Sequence, residues 1–338
     1  MKSCLFYSGI LLLCLAVGLY VVCSLYLLRN PWILHKKKRL EFYCRHISHR
    51  GGSGEKIENT MEAFTHAVAV GTEMLEMDCH LTSDGYVVIS HDYNLMRQTG
   101  YDKTVSSLRF QDLPLYEERL EVTFYVGHYS TGKDRKFVLL EDLFKKFPSM
   151  PMILEIKENN DLLIKKVSNL VKQYHRESFT VWASEESDYC PYTWSVIIDA
   201  VIKISKPFKR NLLFFLCRGI LLLLLFYTGL LPFVPLGESL LLFYLPSIIN
   251  RTYIPEEAIL KKRFVVYLLQ KLTMRKSLFE HLIKRGLQVN LFVCNEESDM
   301  EAAFAVGATG VMSDYPTLLT NYIKKHPPPP PPPITQPR

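Results

Sequence analysis

The strongest constraint on this chain is an alternation. Short β-type runs, "EFYCRHIS", "MLEMDCHLT", "YVVIS", "MPMILEIK", "FTVWAS", "VNLFVC" and "GVMSD", are separated by helix-type segments at Thr60–Val70, Leu139–Phe147, Asp161–Tyr174, Met274–Arg285 and Glu297–Val306. Mostly continuous apolar strands between amphipathic helices predict a buried, largely parallel sheet. At 338 residues the leading fold is an α/β TIM barrel, (β/α)8. A doubly wound sheet is the runner-up, but the glycine loop "HRGGSGEKIENT" lacks the G-x-G-x-x-G spacing of a dinucleotide site.

Two apolar blocks interrupt this pattern. Leu5–Leu28 carries no charge and exceeds the roughly 20 residues a bilayer-spanning helix needs. No small-residue cleavage site follows it, so it reads as an uncleaved N-terminal transmembrane helix. "HKKKR" (His35–Arg39) comes next, against Lys2 before the run, and the positive-inside rule then places the following domain in the cytosol. The second block, Leu212–Leu236, contains Arg218 and ends on Pro232 and Pro235. A single crossing there would split a closed barrel across the bilayer and bury a charge, so an interfacial or re-entrant segment is expected. The expected organisation is an anchor and basic flank over 1–40, a barrel domain over 41–325 with an apolar membrane-associated insertion at 212–248, and a tail over 326–338. Seven consecutive prolines in that tail favour polyproline II, which cannot pack a core but can bind a proline-reading module.

The net charge of +6 is mild, and no interleaved basic and aromatic repeat exists, so no nucleic acid partner is expected. The eight cysteines are scattered without zinc-type spacing and read as mostly reduced thiols.

Glu76 and Asp78 sit two apart in a strand-type run and therefore share a face. Buried like charges need compensation, which a hard divalent cation supplies; an exposed strand bearing ordinary acids is the alternative. Glu155 ends another apolar run, with Lys157 on the same side, and a plain salt bridge between them is an even alternative. Three carboxylates without cysteine suit Mg²⁺ or Ca²⁺ better than zinc. His49 and Arg50 follow the first strand-type run, and His91 and Asp92 follow the third. Strand ends build the catalytic mouth of a barrel. Two imidazoles there can serve as acid and base, and Arg50 can grip a phosphate. Gly51, Gly52 and Gly54 would let the backbone approach that anion. Glu58 is either a further site acid or a charge favouring the next helix, expected to start near Asn59.

These motifs resemble the glycerophosphodiester phosphodiesterase family. "HRG" (His49–Gly51), "ENT" (Glu58–Thr60), "E-x-D" (Glu76, Asp78), "SHD" (Ser90–Asp92), "EIK" (Glu155–Lys157) and "GVMSDYP" (Gly310–Pro316) occur in the family's order, over about Ile47 to Tyr322. The N-terminal anchor and "YTGLLPFVP" resemble the animal membrane-anchored lysophospholipase D subgroup. The resemblance implies a TIM barrel, with Glu76, Asp78 and Glu155 as metal ligands and His91 as a possible fourth. It implies His49 and His91 as the acid–base pair and Arg50 and Lys157 as phosphate contacts. The chain departs from the family at Phe292, where a Trp is usual, and over Ser187–Arg210, which is longer than the usual connection.

The expected activity is therefore that of a metal-dependent phosphodiesterase on lysophospholipids, including N-acyl lysophosphatidylethanolamine, giving lysophosphatidic acid and the head-group alcohol. The expected location is an intracellular membrane, the endoplasmic reticulum. The rival readings are a hydrolase of water-soluble glycerophosphodiesters and a non-catalytic membrane scaffold.

Overall fold

The computed structural model describes residues 2–40, 42–158, 160–184 and 213–327. In chain order the elements are α1 (Lys2–Arg29), β1 (His46–Ser48), α2 (Met61–Val70), β2 (Met74–Leu81), β3 (Val87–Ile89), α3 (Met96–Thr99), β4 (Arg119–Glu121), β5 (Tyr129–Thr131), β6 (Val138–Leu139) and α4 (Leu140–Lys146). They continue with β7 (Met152–Ile156), α5 (Asp161–Gln173), β8 (Thr180–Ser184), α6 (Leu213–Tyr227), β9 (Leu240–Tyr244), α7 (Arg263–Thr273), α8 (Lys276–Lys284), β10 (Gln288–Phe292), α9 (Glu297–Ala305), β11 (Gly310–Ser313) and α10 (Pro316–Lys325).

Among the described residues, seven strands pair in parallel in the order β8-β7-β2-β1-β11-β10-β9. The first strand thus lies beside the last, with Ile47 opposite Met312 on one side and Met74 on the other. Residues 185–212, between β8 and α6, lie outside the described residues, and with them the whole of the atypical Ser187–Arg210 stretch.

Side-chain alternation builds the interior. Ile47, Met74, Ile153 and Met312 are fully buried and form an apolar plug, with Val181, Ala183, Leu240 and Leu242 packed against it. The other strand faces meet helices: Leu75, Met77, Cys79 and Leu154 pack with Phe64 of α2, Phe144 of α4 and Val167 of α5. A second apolar layer joins Val289, Leu291 and Val311 to Leu282 of α8, Met300 of α9 and Leu319 of α10. Two residues beyond the plug along the same chains come His49, Glu76, Glu155 and Asp314, so the apolar plug ends where the polar mouth begins.

The structure corrects two strand assignments. "YVVIS" is not a barrel strand: β3 runs antiparallel to β2, with Cys79 opposite Ile89 and Leu81 opposite Val87. The eight residues of β2 overshoot the barrel rim, and β3 is the returning limb of the hairpin. A short apolar run reads alike in either direction, because β propensity carries no sense of parallel or antiparallel pairing. Conversely, Leu240–Tyr244, inside the block assigned to a membrane-associated insertion at 212–248, is barrel strand β9 in register with β10. Its leucines hide among other leucines, so no alternation marks it.

The N-terminal helix α1 is long and apolar enough to cross a bilayer and is the single such helix among the described residues. Fifteen residues of α6 are described, about 22 Å of helix. The barrel strands before and after α6 pair in one sheet. The turn after α6 is tied to α1: Tyr20 Oη donates to the Thr228 carbonyl at 2.6 Å and Ser24 Oγ to that of Gly229 at 2.6 Å. Part of the basic flank is bound to the barrel, since Lys38 Nζ donates to the carbonyls of Gly237 and Glu238.

Candidate active site

His49 leaves β1 in a tight turn and is buried. Its Nδ1 lies 2.5 Å from Asp314 Oδ1, and its Nε2 4.0 Å from Glu76 Oε2. Asp314, just past β11, is itself fixed by Ser53 Oγ and by Asn295 Nδ2 at 2.7 Å, while its own N–H donates to Asn295 Oδ1 at 2.9 Å. Burial alone would lower the His49 pKa, but the Asp314 carboxylate outweighs it and raises the ring above its ordinary value. Asp314 is held below the usual carboxylate range: burial opposes this, and His49, Ser53 and Asn295 prevail.

The left-handed Arg50 (φ 49°) turns the chain away from β1. Its N–H donates to Glu76 Oε2 at 2.8 Å, its Nη1 to Glu58 Oε2 at 3.2 Å, and its Nε stands 3.6 Å from Asp78 Oδ2. The guanidinium is buried among these acids rather than open to solvent. Glu58 is gripped from the other side by Arg97 Nη2 at 2.6 Å and Gln98 Nε2 at 2.8 Å. It stays charged, with its pKa pushed down to about 2: burial opposes this, and Arg97 and Arg50 overcome it. Glu58 therefore belongs to an arginine network. The helix α2 begins beyond it at Met61, capped by Thr60 Oγ1, which accepts from the Ala63 N–H at 3.2 Å.

The loop glycines serve packing. A Cβ on Gly52 (φ 94°) would meet the Pro316 ring at 2.7 Å, and one on Gly54 would meet the Tyr315 ring at 2.4 Å. They let the loop close over the chain leaving β11, where Gly54 N–H donates to the Asp314 carbonyl at 2.9 Å.

On β2, Glu76, Asp78 and His80 share one face. Glu76, Asp78 and Glu155 each offer a carboxylate oxygen within 4.8 Å of the others. Burial and the neighbouring Asp78 push Glu76 well above the carboxylate range. Asp78 is held low: burial opposes this, and Lys157, His91 and Arg50 outweigh it. Lys157 Nζ lies 3.3 Å from Asp78 Oδ1 and 2.9 Å from Glu155 Oε1. Such a mutually repelling set, with Glu76 and Asp78 buried and Glu155 half-buried, fits a hard divalent cation. His91 is not in that cluster; its Nδ1 lies 2.6 Å from Asp92 Oδ1. Arg97 clamps Asp92 through Nε at 2.6 Å. His80 Nε2 lies 3.2 Å from the His91 carbonyl oxygen, while its Nδ1 lies 2.7 Å from Glu158 Oε1. Burial and Arg50 lower the His91 pKa.

His49, Glu76, Asp78, Glu155, Arg50 and Lys157 thus gather as the motifs predict, and His91 arrives by the antiparallel return of β3. The residues that orient them were not assigned from sequence: Asp314, Ser53, Asn295, Arg97, Gln98 and His80. Asp314 and His80 lie inside quoted motifs, and only their partners show what they do.

Beside His49 stands an aromatic wall. Phe292 and Phe124 meet its ring edge-on at 5.1 and 5.6 Å, Phe124 packs on Tyr253 at 4.9 Å, and Phe292 packs on Tyr244 at 5.0 Å. Phe124 is carried by the loop between β4 and β5, which reaches the opposite rim through Val126 N–H to the Thr252 carbonyl at 3.0 Å.

The glycerophosphoryl diester phosphodiesterase family model matches residues 49–211. Human lysophospholipase D GDPD3 is 47% identical, covering 92% of this chain and 95% of that protein. Human lysophospholipase D GDPD1 is 45% identical, covering 91% and 95%. A glycerophosphoryl diester phosphodiesterase domain from Mycobacterium tuberculosis has a similar structure, with a TM-score of 0.57 at 16% identity over 85% of this chain and 99% of that one. An Oleispira antarctica phosphodiesterase matches with a TM-score of 0.52 at 18% identity over 84% and 98%. These structural likenesses concern the fold, a TIM barrel.

Proposed function

The chain belongs to the glycerophosphoryl diester phosphodiesterase family, and on that ground we propose that it is a membrane-anchored phosphoric diester hydrolase of lysophospholipase D type. Its substrates are lysophospholipids, including N-acyl lysophosphatidylethanolamine, and its products are lysophosphatidic acid and the head-group alcohol. One observation carries this reading: two carboxylate-oriented imidazoles, His49 with Asp314 and His91 with Asp92, flank the acid cluster of Glu76, Asp78 and Glu155.

Glu76, Asp78 and Glu155 would hold Mg²⁺ or Ca²⁺. When bound, that ion neutralises the buried acids and draws charge from the phosphate. The environments of the histidines push their pKa values apart, and this supports His49 as the proton donor to the leaving oxygen and His91 as the acceptor from the attacking hydroxyl. Each ring is tied through Nδ1, which orients Nε2 toward the reaction. The attacking hydroxyl is water, or it is the lipid's own glycerol hydroxyl, which gives a cyclic phosphate that water then opens to the monoester. Attack at phosphorus breaks the bond to the head-group oxygen, which takes the proton. Lys157, between Asp78 and Glu155, is the cation best placed to meet a phosphate oxygen. Arg50 holds Glu58 and Glu76 in place behind it.

The aromatic wall beside His49 supports a lipid over a deacylated diester, because an acyl chain can lie on it. α1 supplies the anchor, and the basic flank after it supports a cytosolic orientation of the barrel. The proposed location is an internal membrane, the endoplasmic reticulum. The test is mass spectrometry of products from lysophosphatidylcholine and from glycerophosphocholine, with chelated full-length protein and each metal added back. Faster cleavage of glycerophosphocholine would replace the lipid reading with the soluble-diester one. No cleavage of either under any metal would remove the enzymatic reading.

A further inference from the structure

We propose that α7 and the loop before it form a second membrane-contact surface, laid on the bilayer beside the mouth. It rests on the reading of α1 as a membrane anchor, and it concerns a surface that reading does not use.

α7 has no buried residue. Phe264 (73% exposed), Tyr267 (58%), Leu268 and Leu272 form one stripe at helical spacing. A helix of a soluble domain turns such a stripe toward the core; here it faces outward, and Ile254 and Ile259 extend it. Lys261, Lys262 and Arg263 stand exposed at its start, and Lys271 lies within the stripe near its end, its ammonium over the Tyr267 ring. An apolar stripe edged with basic residues suits a lipid surface carrying anionic head groups.

Continuity points to the same occupant. Tyr227 Oη, at the end of the apolar α6, donates to the Leu272 carbonyl at 2.9 Å. The turn after α6 is bonded by Tyr20 and Ser24 of α1. The apolar surface therefore runs from the anchor through α6 to α7. At its other end Tyr253 packs on Phe124, which touches His49. A lysolipid leaving the leaflet would meet α7 first and the aromatic wall next.

The test uses the full-length protein in phosphatidylcholine–phosphatidylserine vesicles with brominated acyl chains. A fluorescent side chain is encoded at Tyr267, and in a control protein at Lys172 of α5. Strong quenching at 267 with none at 172 is expected. No quenching at 267 overturns the proposal, as does a cross-link from 267 to a second copy of the chain in place of quenching. A second variant, F264E/L268E, should turn over vesicle-borne lysophosphatidylcholine several-fold more slowly while matching the unsubstituted chain on the same lipid in detergent micelles. Unchanged turnover in vesicles also overturns the proposal. Quenching is independent of catalysis, so a protein that is quenched at 267 yet cleaves no lysolipid would refute the proposed activity and leave the docking surface standing.

Discussion

Asp314 Oδ1 lies 2.5 Å from His49 Nδ1, although 265 residues separate the two in the chain. The contact exists because β1 and β11 are neighbours in the sheet, with Ser48 opposite Ser313, so the residues just beyond each strand emerge side by side. The carboxylate fixes the ring's tautomer and keeps its pKa high despite burial.

Asp314→Asn is therefore expected to lower kcat by about 10²-fold or more while the fold persists. The sign on pH follows from the charge: losing the carboxylate lets burial dominate, so the His49 pKa falls. The alkaline limb of kcat/KM, where a proton-donating His49 is lost, should move to lower pH. A pH profile of the variant checks it, and an unmoved limb would detach His49 from that limb.

His49→Ala and His91→Ala should each cost roughly 10²–10⁴-fold in turnover, the usual loss on removing positioned acid or base catalysis. Circular dichroism should show both variants folded. Near-normal turnover by either one would remove that histidine from proton transfer.

Neutralising Glu76, Asp78 or Glu155 should weaken cation affinity and activity together, with excess metal rescuing the weakest variant in part. The oxygens of the three lie within 4.8 Å of each other, so each should contribute to one site. Calorimetric metal titration of Glu155→Gln decides its membership: affinity equal to that of the unsubstituted chain takes Glu155 out of the site.

Glu58→Gln tests the arginine network through stability. The folded pKa of Glu58 is about 2 against an ordinary 4.5, burial opposing and Arg97 and Arg50 prevailing. A depressed carboxylate stabilises the fold fully above its unfolded pKa, and the gain disappears as pH falls through the folded pKa. The unsubstituted chain should thus exceed E58Q by roughly 3 kcal/mol near neutrality, and the gap should shrink between about pH 4.5 and about 2. Denaturant unfolding at several pH values measures it; a gap independent of pH would mean that Glu58 acts by packing alone.

Much of the site is legible in the chain because its elements are local. Glu76 and Asp78 share a face through the two-residue period of a strand, and the plug residue Met74 precedes them on that face. The helices begin where local caps allow, at Thr60 for α2 and at Asn160, whose Oδ1 accepts from Leu162 and Leu163 N–H, for α5. The charge-free run of α1 declares itself by length and composition alone.

What the tertiary structure decided are the relations that no local pattern encodes. "YVVIS" becomes the returning limb of a hairpin rather than a barrel strand, because pairing direction depends on the partner strand, not on the residues' own propensities. Leu240–Tyr244 becomes a barrel strand, because its leucines satisfy lipid and a protein core equally and only the register with β10 distinguishes them. Arg50, which reads in sequence as a phosphate grip, is enclosed by Glu58, Glu76 and Asp78, since a buried cation must sit where acids from other segments compensate it. By itself the sequence determined which side chains can do chemistry at the mouth of a barrel. Folding alone supplied the partners that orient them, because hydrogen bonds between distant segments form only after parallel pairing has brought the strand ends together.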